Sequence, residues 1–67
     1  MEITLEAARV NKRLTQREAA KMLGITRETL GRWERGVSFP SANVIPLIES
    51  LYGVSYDCIN FLAKNNA

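Results

Sequence analysis

Residues 15–36 read TQREAAKMLGITRETLGRWERG, and the helix signals in this segment are the basis of the predicted fold. Thr15 and Glu18 have the S/T-x-x-E spacing of a capping box, which begins a helix. Gly24 is suited to end that helix, and Thr26 is suited to cap a second one. Because only two residues lie between the two segments, we predict helices from Thr15 to Leu23 and from Thr26 to Arg35, joined by a tight turn as a helix-turn-helix.

The remaining turn residues predict three more helices around this pair. The first helix is expected from about Thr4 to Lys12. A fourth should carry Pro46 in its first turn, because proline in a helix interior costs about 3 kcal/mol or more. It should end at Gly53, after which Ser55 is suited to cap a fifth helix.

No stretch alternates apolar and polar residues with a period of two, so we predict an all-α fold, a compact five-helix bundle. Sixty-seven residues are enough for a single domain over residues 1–67, with its core at about 4–62 and a frayed tail from Lys64. We expect the core to contain the apolar residues at helical spacing, which are Ile3, Leu5, Ala8, Ala19, Ala20, Leu23, Leu30, Trp33, Ile45, Ile48, Leu51, Ile59 and Leu62.

The composition argues against several classes of protein. There is no histidine, and Cys58 is the one cysteine, so we expect no internal disulfide, no metal site and no cofactor. Cys58 is expected to be a small buried residue. The longest apolar run has five residues, far below the roughly 20 of a membrane span, and the N-terminus lacks the basic region of a signal peptide. No nucleophile has a partner base, so we do not expect an enzyme or a small-molecule ligand.

The charges are divided unevenly along the chain. Residues 9–35 hold eight Arg and Lys against three Glu, a net charge of +5, whereas the rest holds one Lys against four carboxylates, a net charge of −3. A basic block of this kind is typical of proteins that bind polyanions. The alternative is a solvated helix surface without a partner.

The motif Thr15-Gln16-x-x-x-Ala20-x-x-x-Gly24-Ile25-Thr26-x-x-x-Leu30-x-x-Trp33-Glu34-x-Gly36, followed by Gly53-Val54-Ser55-Tyr56-Asp57, resembles a known family. It is similar to the Cro/C1-type (xenobiotic-response-element) helix-turn-helix domains of phage repressors and bacterial regulators. The resemblance covers about residues 4–62. It implies the lambda-repressor-like DNA-binding fold, binding to double-stranded DNA as a transcriptional regulator, most simply a repressor, and a cytoplasmic location in a bacterial or phage-infected cell.

The resemblance also implies that the helix from Thr26 to Arg35 enters the major groove. Its outward face should then carry Arg27, Glu28, Gly31 and Arg32. Arg27 and Arg32 are candidates for paired hydrogen bonds to guanine, and Glu28 for a bond from cytosine. For Glu28 the alternative is an ion pair with Arg32, four residues away.

Several residues around that helix are expected to bind phosphates. Gln16 should bond a phosphate and brace Arg27 by resemblance, and the start of its helix adds free amides. The full set of candidate phosphate contacts is Gln16, Arg17, Thr26, Arg35 and Ser38. Lys12, Arg13 and Lys21 are left open between phosphate contact and solvated surface.

One arginine is expected to be structural rather than DNA-binding. Arg9 lies where family members often hold a partly buried arginine paired with the glutamate that corresponds to Glu34. We therefore predict a structural ion pair between Arg9 and Glu34.

The resemblance further implies a homodimer, at least on DNA, in which each protomer reads half of a palindrome. The dimer surface should contain Pro46, Leu47, Tyr56 and Asp57. Tyr52 and Phe61 are expected either to be exposed beside it or to cover the core. The competing function is a protein-interaction module of antitoxin type on the same fold, which an apolar patch near Tyr52, Tyr56 and Phe61 would favour.

Overall fold

The computed structural model describes residues 2–61, so the predictions for Leu62 and for the tail from Lys64 lie outside the described residues. The elements in chain order are β1 (Ile3–Thr4), α1 (Leu5–Asn11), α2 (Gln16–Leu23), α3 (Arg27–Glu34), α4 (Ile45–Tyr52), a 3-10 turn (Tyr56–Cys58) and β2 (Ile59–Asn60).

The first three helices begin where the sequence predicted caps. The hydroxyl of Thr4 accepts from the amide of Ala7 at 3.0 Å. At α2 both bonds of the capping box form, because Thr15 Oγ1 accepts from the Glu18 amide at 3.0 Å and Glu18 Oε1 accepts from the Thr15 amide at 2.9 Å. Thr26 Oγ1 accepts from the Thr29 amide at 3.0 Å. Each cap satisfies one helix-end donor that has no acceptor within the helix.

The turn between α2 and α3 confirms the predicted helix-turn-helix. Gly24 has φ of +74°, a left-handed conformation that glycine adopts without steric cost. Its amide donates to Lys21, and the next amide, that of Ile25, donates to Ala20 at 2.9 Å. Ala20 is buried at this junction, so its small side chain lets α2 and α3 approach closely.

Helix α4 contributes two large buried side chains to the core. Pro46 lies in its first turn, as predicted, where its missing amide hydrogen costs little. Ile48 and Tyr52, four residues apart on one face, are 0% and 2% exposed. Of the two alternatives for Tyr52, the structure thus supports the one in which its ring covers the core, because this ring is one of the largest fully buried side chains.

The five-helix prediction is wrong for the described residues, in which four α-helices occur. Ser55 does cap the next element, accepting from the Asp57 amide at 3.3 Å, but that element is a three-residue 3-10 turn. The chain then extends, and Ile59 pairs in parallel with Ile3. The fold is thus mostly helical with a two-stranded sheet that ties the two ends of the described chain together.

The core lies between the four helices and β2. Its buried hydrophobic residues are Leu5, Ala8, Ala19, Ala20, Leu23, Leu30, Trp33, Ile48, Tyr52 and Ile59. Cys58 is only partly buried, so the prediction of a buried cysteine is wrong. None of the helices within residues 2–61 is long and apolar enough to cross a membrane.

Candidate nucleic-acid interface

A buried ion pair connects α1 to the end of α3. Arg9 Nε donates to Glu34 Oε2 at 2.7 Å, and Arg9 Nη2 donates to Glu34 Oε1 at 3.2 Å. The remaining amino group, Arg9 Nη1, donates to the carbonyl of Leu14 at 2.8 Å. The structure therefore brings together the two residues that the sequence analysis paired, with Arg9 in addition holding the turn that leads into α2.

The Arg9–Glu34 pair is almost fully buried, and its two side chains stabilise each other against the cost of that burial. Only 10% of the Arg9 side chain and 3% of the Glu34 side chain are exposed. Hydrogen bonding to the Glu34 carboxylate raises the pKa of the Arg9 guanidinium above its ordinary value, against the opposing effect of burial. The Arg9 guanidinium thus stays protonated, and its two hydrogen bonds to Glu34 fix the orientation of both side chains.

Gln16 extends this pair toward the protein surface. Its Nε2 donates to Glu34 Oε1 at 2.8 Å. Glu34 therefore holds α1 through Arg9 and the first turn of α2 through Gln16. Sequence reasoning expected Gln16 to brace Arg27, and it missed the bond to Glu34, because the 18-residue separation leaves no local pattern to detect.

Two adjacent clefts open on this face of the molecule, and both are lined by Gln16 and Arg27. The first lies at the start of α2 and is lined by Glu6, Arg9, Thr15, Gln16, Arg17 and Arg27. The second runs along α3 and is lined by Gln16, Arg27, Glu28, Gly31 and Arg35. The two clefts bring Arg17, Arg27 and Arg35 to one face, with the first turn of α2 beside them.

Gly31 lies in the cleft along α3 with Arg27 and Glu28, on the outward face as predicted, but it is buried there and not exposed. The side chains of Arg35 and Gln16 cover it. A Cβ atom built on Gly31 would lie 3.3 Å from Arg35 Nη1 and 3.8 Å from Gln16 Nε2. Sequence analysis noted a glycine within a helix but had no means to see which side chains fold over it.

The three predicted base-reading residues are all exposed on α3. Arg27 follows the cap of the helix at its first position. Glu28 Oε2 and Arg32 Nη2 lie 3.8 Å apart, with 80% and 56% of the two side chains exposed. This contact is long and solvated, so it leaves both side chains able to turn toward a partner.

The remaining predicted phosphate contacts are distributed around the two clefts. Arg17 and Arg35 are exposed, whereas Ser38 is half-buried in the loop after α3. Thr26 is already engaged, because its hydroxyl caps α3 and donates to Thr29 Oγ1 at 2.8 Å. Lys12 lies elsewhere, with Nζ close to Gly53 at the end of α4.

Three exposed apolar side chains line neither cleft, and two of them belong to the predicted dimer surface. Leu47 and Tyr56 are about half exposed, as is Phe39 in the loop after α3. Phe61 joins two of these rings, with its centroid 5.6 Å from that of Tyr56 and 6.4 Å from that of Phe39. Pro46 and Asp57 are also exposed. Within residues 2–61 there is no cluster of His, Cys, Asp or Glu that could hold a metal.

The fold and this basic face define a helix-turn-helix protein. The helix-turn-helix family matches residues 5–57, and the chain belongs to the Cro/C1-type branch of that family, which comprises DNA-binding regulators. Among curated proteins, the chain is similar to the antitoxin PezA of Streptococcus pneumoniae serotype 4, with 38% identity over 52 residues. The match takes in 78% of this chain, which spans about a third (33%) of the length of that relative. No solved structure matches the chain.

Proposed function

We propose that this chain binds double-stranded DNA sequence-specifically as a transcriptional regulator, most simply a repressor, with α3 in the major groove. The observation that carries the proposal is the exposure of Arg27 and Arg32 on α3 beside the start of α2. A helix held in this way fits the width of the major groove, and the first turn of α2 is suited to a phosphate.

Each side chain on α3 has a defined task in this proposal. Arg27 and Arg32 bond O6 and N7 of guanine, each contributing roughly 1–3 kcal/mol of discrimination against other bases. Glu28 accepts from the amino group of cytosine, for which it must leave its long contact with Arg32.

The neighbouring residues fix the position of α3 on the duplex without reading sequence. Gln16, Arg17 and Arg35 contact phosphates from the two clefts, and Ser38 contributes a hydrogen bond from the loop after α3. The hydroxyl of Thr26 joins them by turning its hydrogen from Thr29 to a phosphate. Phosphate contacts set register and orientation and make the affinity fall with salt.

The proposal includes a homodimer on DNA. One short helix reads few base pairs, and two protomers related by a two-fold axis would read a palindrome with half-sites about one helical turn apart. The exposed residues Pro46, Leu47, Tyr56 and Asp57 form the proposed contact between protomers. We further propose that residues 1–67 act as one non-enzymatic DNA-binding domain in the cytoplasm.

Selection from a randomised duplex library tests the proposal, with wild type, Arg27→Ala and Lys21→Ala compared. Wild type should enrich a palindromic motif, and Arg27→Ala should lose preference at one base pair in each half-site. Lys21 is an exposed cation of α2 that lines neither cleft, so Lys21→Ala should retain the full motif. Enrichment of no motif by the wild type at moderate salt would refute sequence-specific reading.

The second candidate is an antitoxin-type module whose main contact is another protein. The half-exposed side chains of Phe39, Leu47 and Tyr56 favour it, because such apolar faces often mark protein contacts. Tyr52, which sequence reasoning included in that patch, is buried and does not contribute. If this function dominates, Arg27→Ala should leave regulation in cells unchanged and Tyr56→Ala should abolish it, whereas the DNA-reading function predicts a loss with Arg27→Ala.

A further inference from the structure

The cleft at the start of α2 has a carboxylate among its cations. Glu6 of α1 lines this cleft together with Arg9, Arg17 and Arg27. In the proposed function the cleft faces the DNA backbone, whose phosphates are negatively charged. Glu6 is therefore the lining residue whose charge opposes the partner, and none of the proposed contacts uses it.

The charges around the cleft show how much Glu6 changes. The charge of Arg9 is compensated by Glu34, because Arg9 Nε and Glu34 Oε2 are 2.7 Å apart. Arg17 and Arg27 are exposed, and within residues 2–61 neither of them forms an ion pair. Glu6 thus cancels one of the two positive charges that the cleft offers to a phosphate.

The carboxylate of Glu6 is only weakly engaged by the fold. Its side chain is 64% exposed, and its Oε2 lies 3.8 Å from Arg9 Nη2, a contact too long and too solvated to contribute much stability. Among the described residues, none donates a hydrogen bond to it. Its place in the first turn of α1 adds a small favourable interaction with the helix dipole. The charge of Glu6 therefore remains available to act on whatever enters the cleft.

The group that Glu6 faces in the proposed complex is a phosphate and not a base. Only α3 enters the major groove in that complex, and Glu6 is carried by α1. The amino group of cytosine can donate to a carboxylate, as proposed for Glu28, whereas a backbone phosphate has only acceptors. Glu6 can therefore only repel the group that Gln16 and Arg17 bind.

We propose that Glu6 limits the affinity of this chain for DNA, because its charge opposes the backbone phosphate at the start of α2. The inference rests on the proposed DNA binding. Every duplex presents the same phosphates, so Glu6 weakens binding to all sequences and leaves the preferred motif unchanged. Like unit charges about 4–7 Å apart in water change a binding constant about threefold to fivefold.

The test compares wild type, Glu6→Gln and Glu2→Gln on the selected duplex across a series of salt concentrations. Glu6→Gln keeps the size of the side chain and removes its charge, so it should bind about threefold to fivefold more tightly per protomer at low salt. The gain should shrink as added salt screens the repulsion. Glu2→Gln makes the same change in net charge at an exposed residue that lines neither cleft, and it should alter the affinity less than about twofold.

Thermal unfolding and library selection with Glu6→Gln separate an effect of charge on DNA from a change in the fold. The variant should select the same motif as wild type and melt at the same temperature or slightly below, because it loses the interaction with the helix dipole. Tighter binding by a protein that is no more stable cannot come from better folding.

Three results would overturn the proposal while leaving the proposed function intact. These are unchanged or weaker binding by Glu6→Gln, an equal gain from Glu2→Gln, and a gain that does not depend on salt. Failure of both wild type and Glu6→Gln to bind any duplex at low salt would instead overturn the proposed function itself.

Discussion

Tyr52 carries the most perturbed titration among the residues described. Its hydroxyl is buried and has no hydrogen-bond partner within residues 2–61. Burial raises the pKa of this phenol to about 12 from its ordinary value of 10, with a smaller contribution in the same direction from the nearby Glu34 carboxylate. The folded protein therefore favours the protonated phenol more strongly than the unfolded chain does.

We predict from this shift that Tyr52 contributes to a loss of stability in alkaline solution. The free energy of unfolding is unaffected by this group below pH 10. It falls by about 1.4 kcal/mol per pH unit as the pH rises from about 10 to 12, because the unfolded chain then loses the phenol proton before the folded protein does. Tyr52→Phe should lack this component and, with no hydrogen bond to lose, should be at least as stable as wild type at pH 7.

Urea unfolding between pH 7 and 12 measures the effect, and Tyr56→Phe is the matched control because Tyr56 is exposed. Identical pH profiles for Tyr52→Phe and wild type would show that the phenol does not titrate in this way.

The role of a single side chain was predictable only where its partners lie within a few residues in the sequence. Thr15, Glu18 and Thr26 were recognised as caps because the bonds they make are three residues long. The bond from Gln16 to Glu34 depends on how α2 packs against α3, and it has no signature in the sequence.

At the scale of elements, the carboxylate of Glu34 holds three parts of the fold together. It accepts from Arg9 on α1 and from Gln16 on α2, while being carried by α3. Because 3% of the Glu34 side chain is exposed, removing its partner would leave a buried charge without compensation.

Arg9→Ala should therefore lower the free energy of unfolding by about 3–5 kcal/mol, the usual loss when one partner of a buried pair is removed. Lys12→Ala removes a nearby exposed cation on the same segment and should cost about 1 kcal/mol or less, through its position at the end of α4. Thermal or urea unfolding of both variants checks the prediction. Small and equal losses would contradict a structural role for the pair.

The elements themselves were predictable to different degrees. The helix-turn-helix follows from caps, a glycine stop and apolar spacing, all of which lie within residues 15–36. The prediction of a fifth helix was wrong, because a capping serine specifies where an element begins but not how long it continues. Ile59 pairs with Ile3, 56 residues earlier in the chain, and a pattern read along one segment cannot show that pairing.

In the molecule as a whole, Arg17, Arg27 and Arg35 line two adjacent clefts, whereas the exposed side chains of Leu47 and Tyr56 line neither of them. We propose that DNA binds at the clefts and that a second protomer contacts Leu47 and Tyr56. The charge asymmetry predicted a polyanion-binding region, but only the fold shows that Gln16, Arg27 and Arg35 line the same clefts.

Amide NMR with a selected palindromic duplex measures whether α3 and the first turn of α2 form the DNA-reading surface, as we propose. We expect the largest shifts on Gln16, Arg17 and residues 26–36, and smaller shifts with a scrambled duplex at the same salt concentration. Unchanged signals from these residues, with shifts confined to the face around Phe39 and Tyr56, would contradict this proposal.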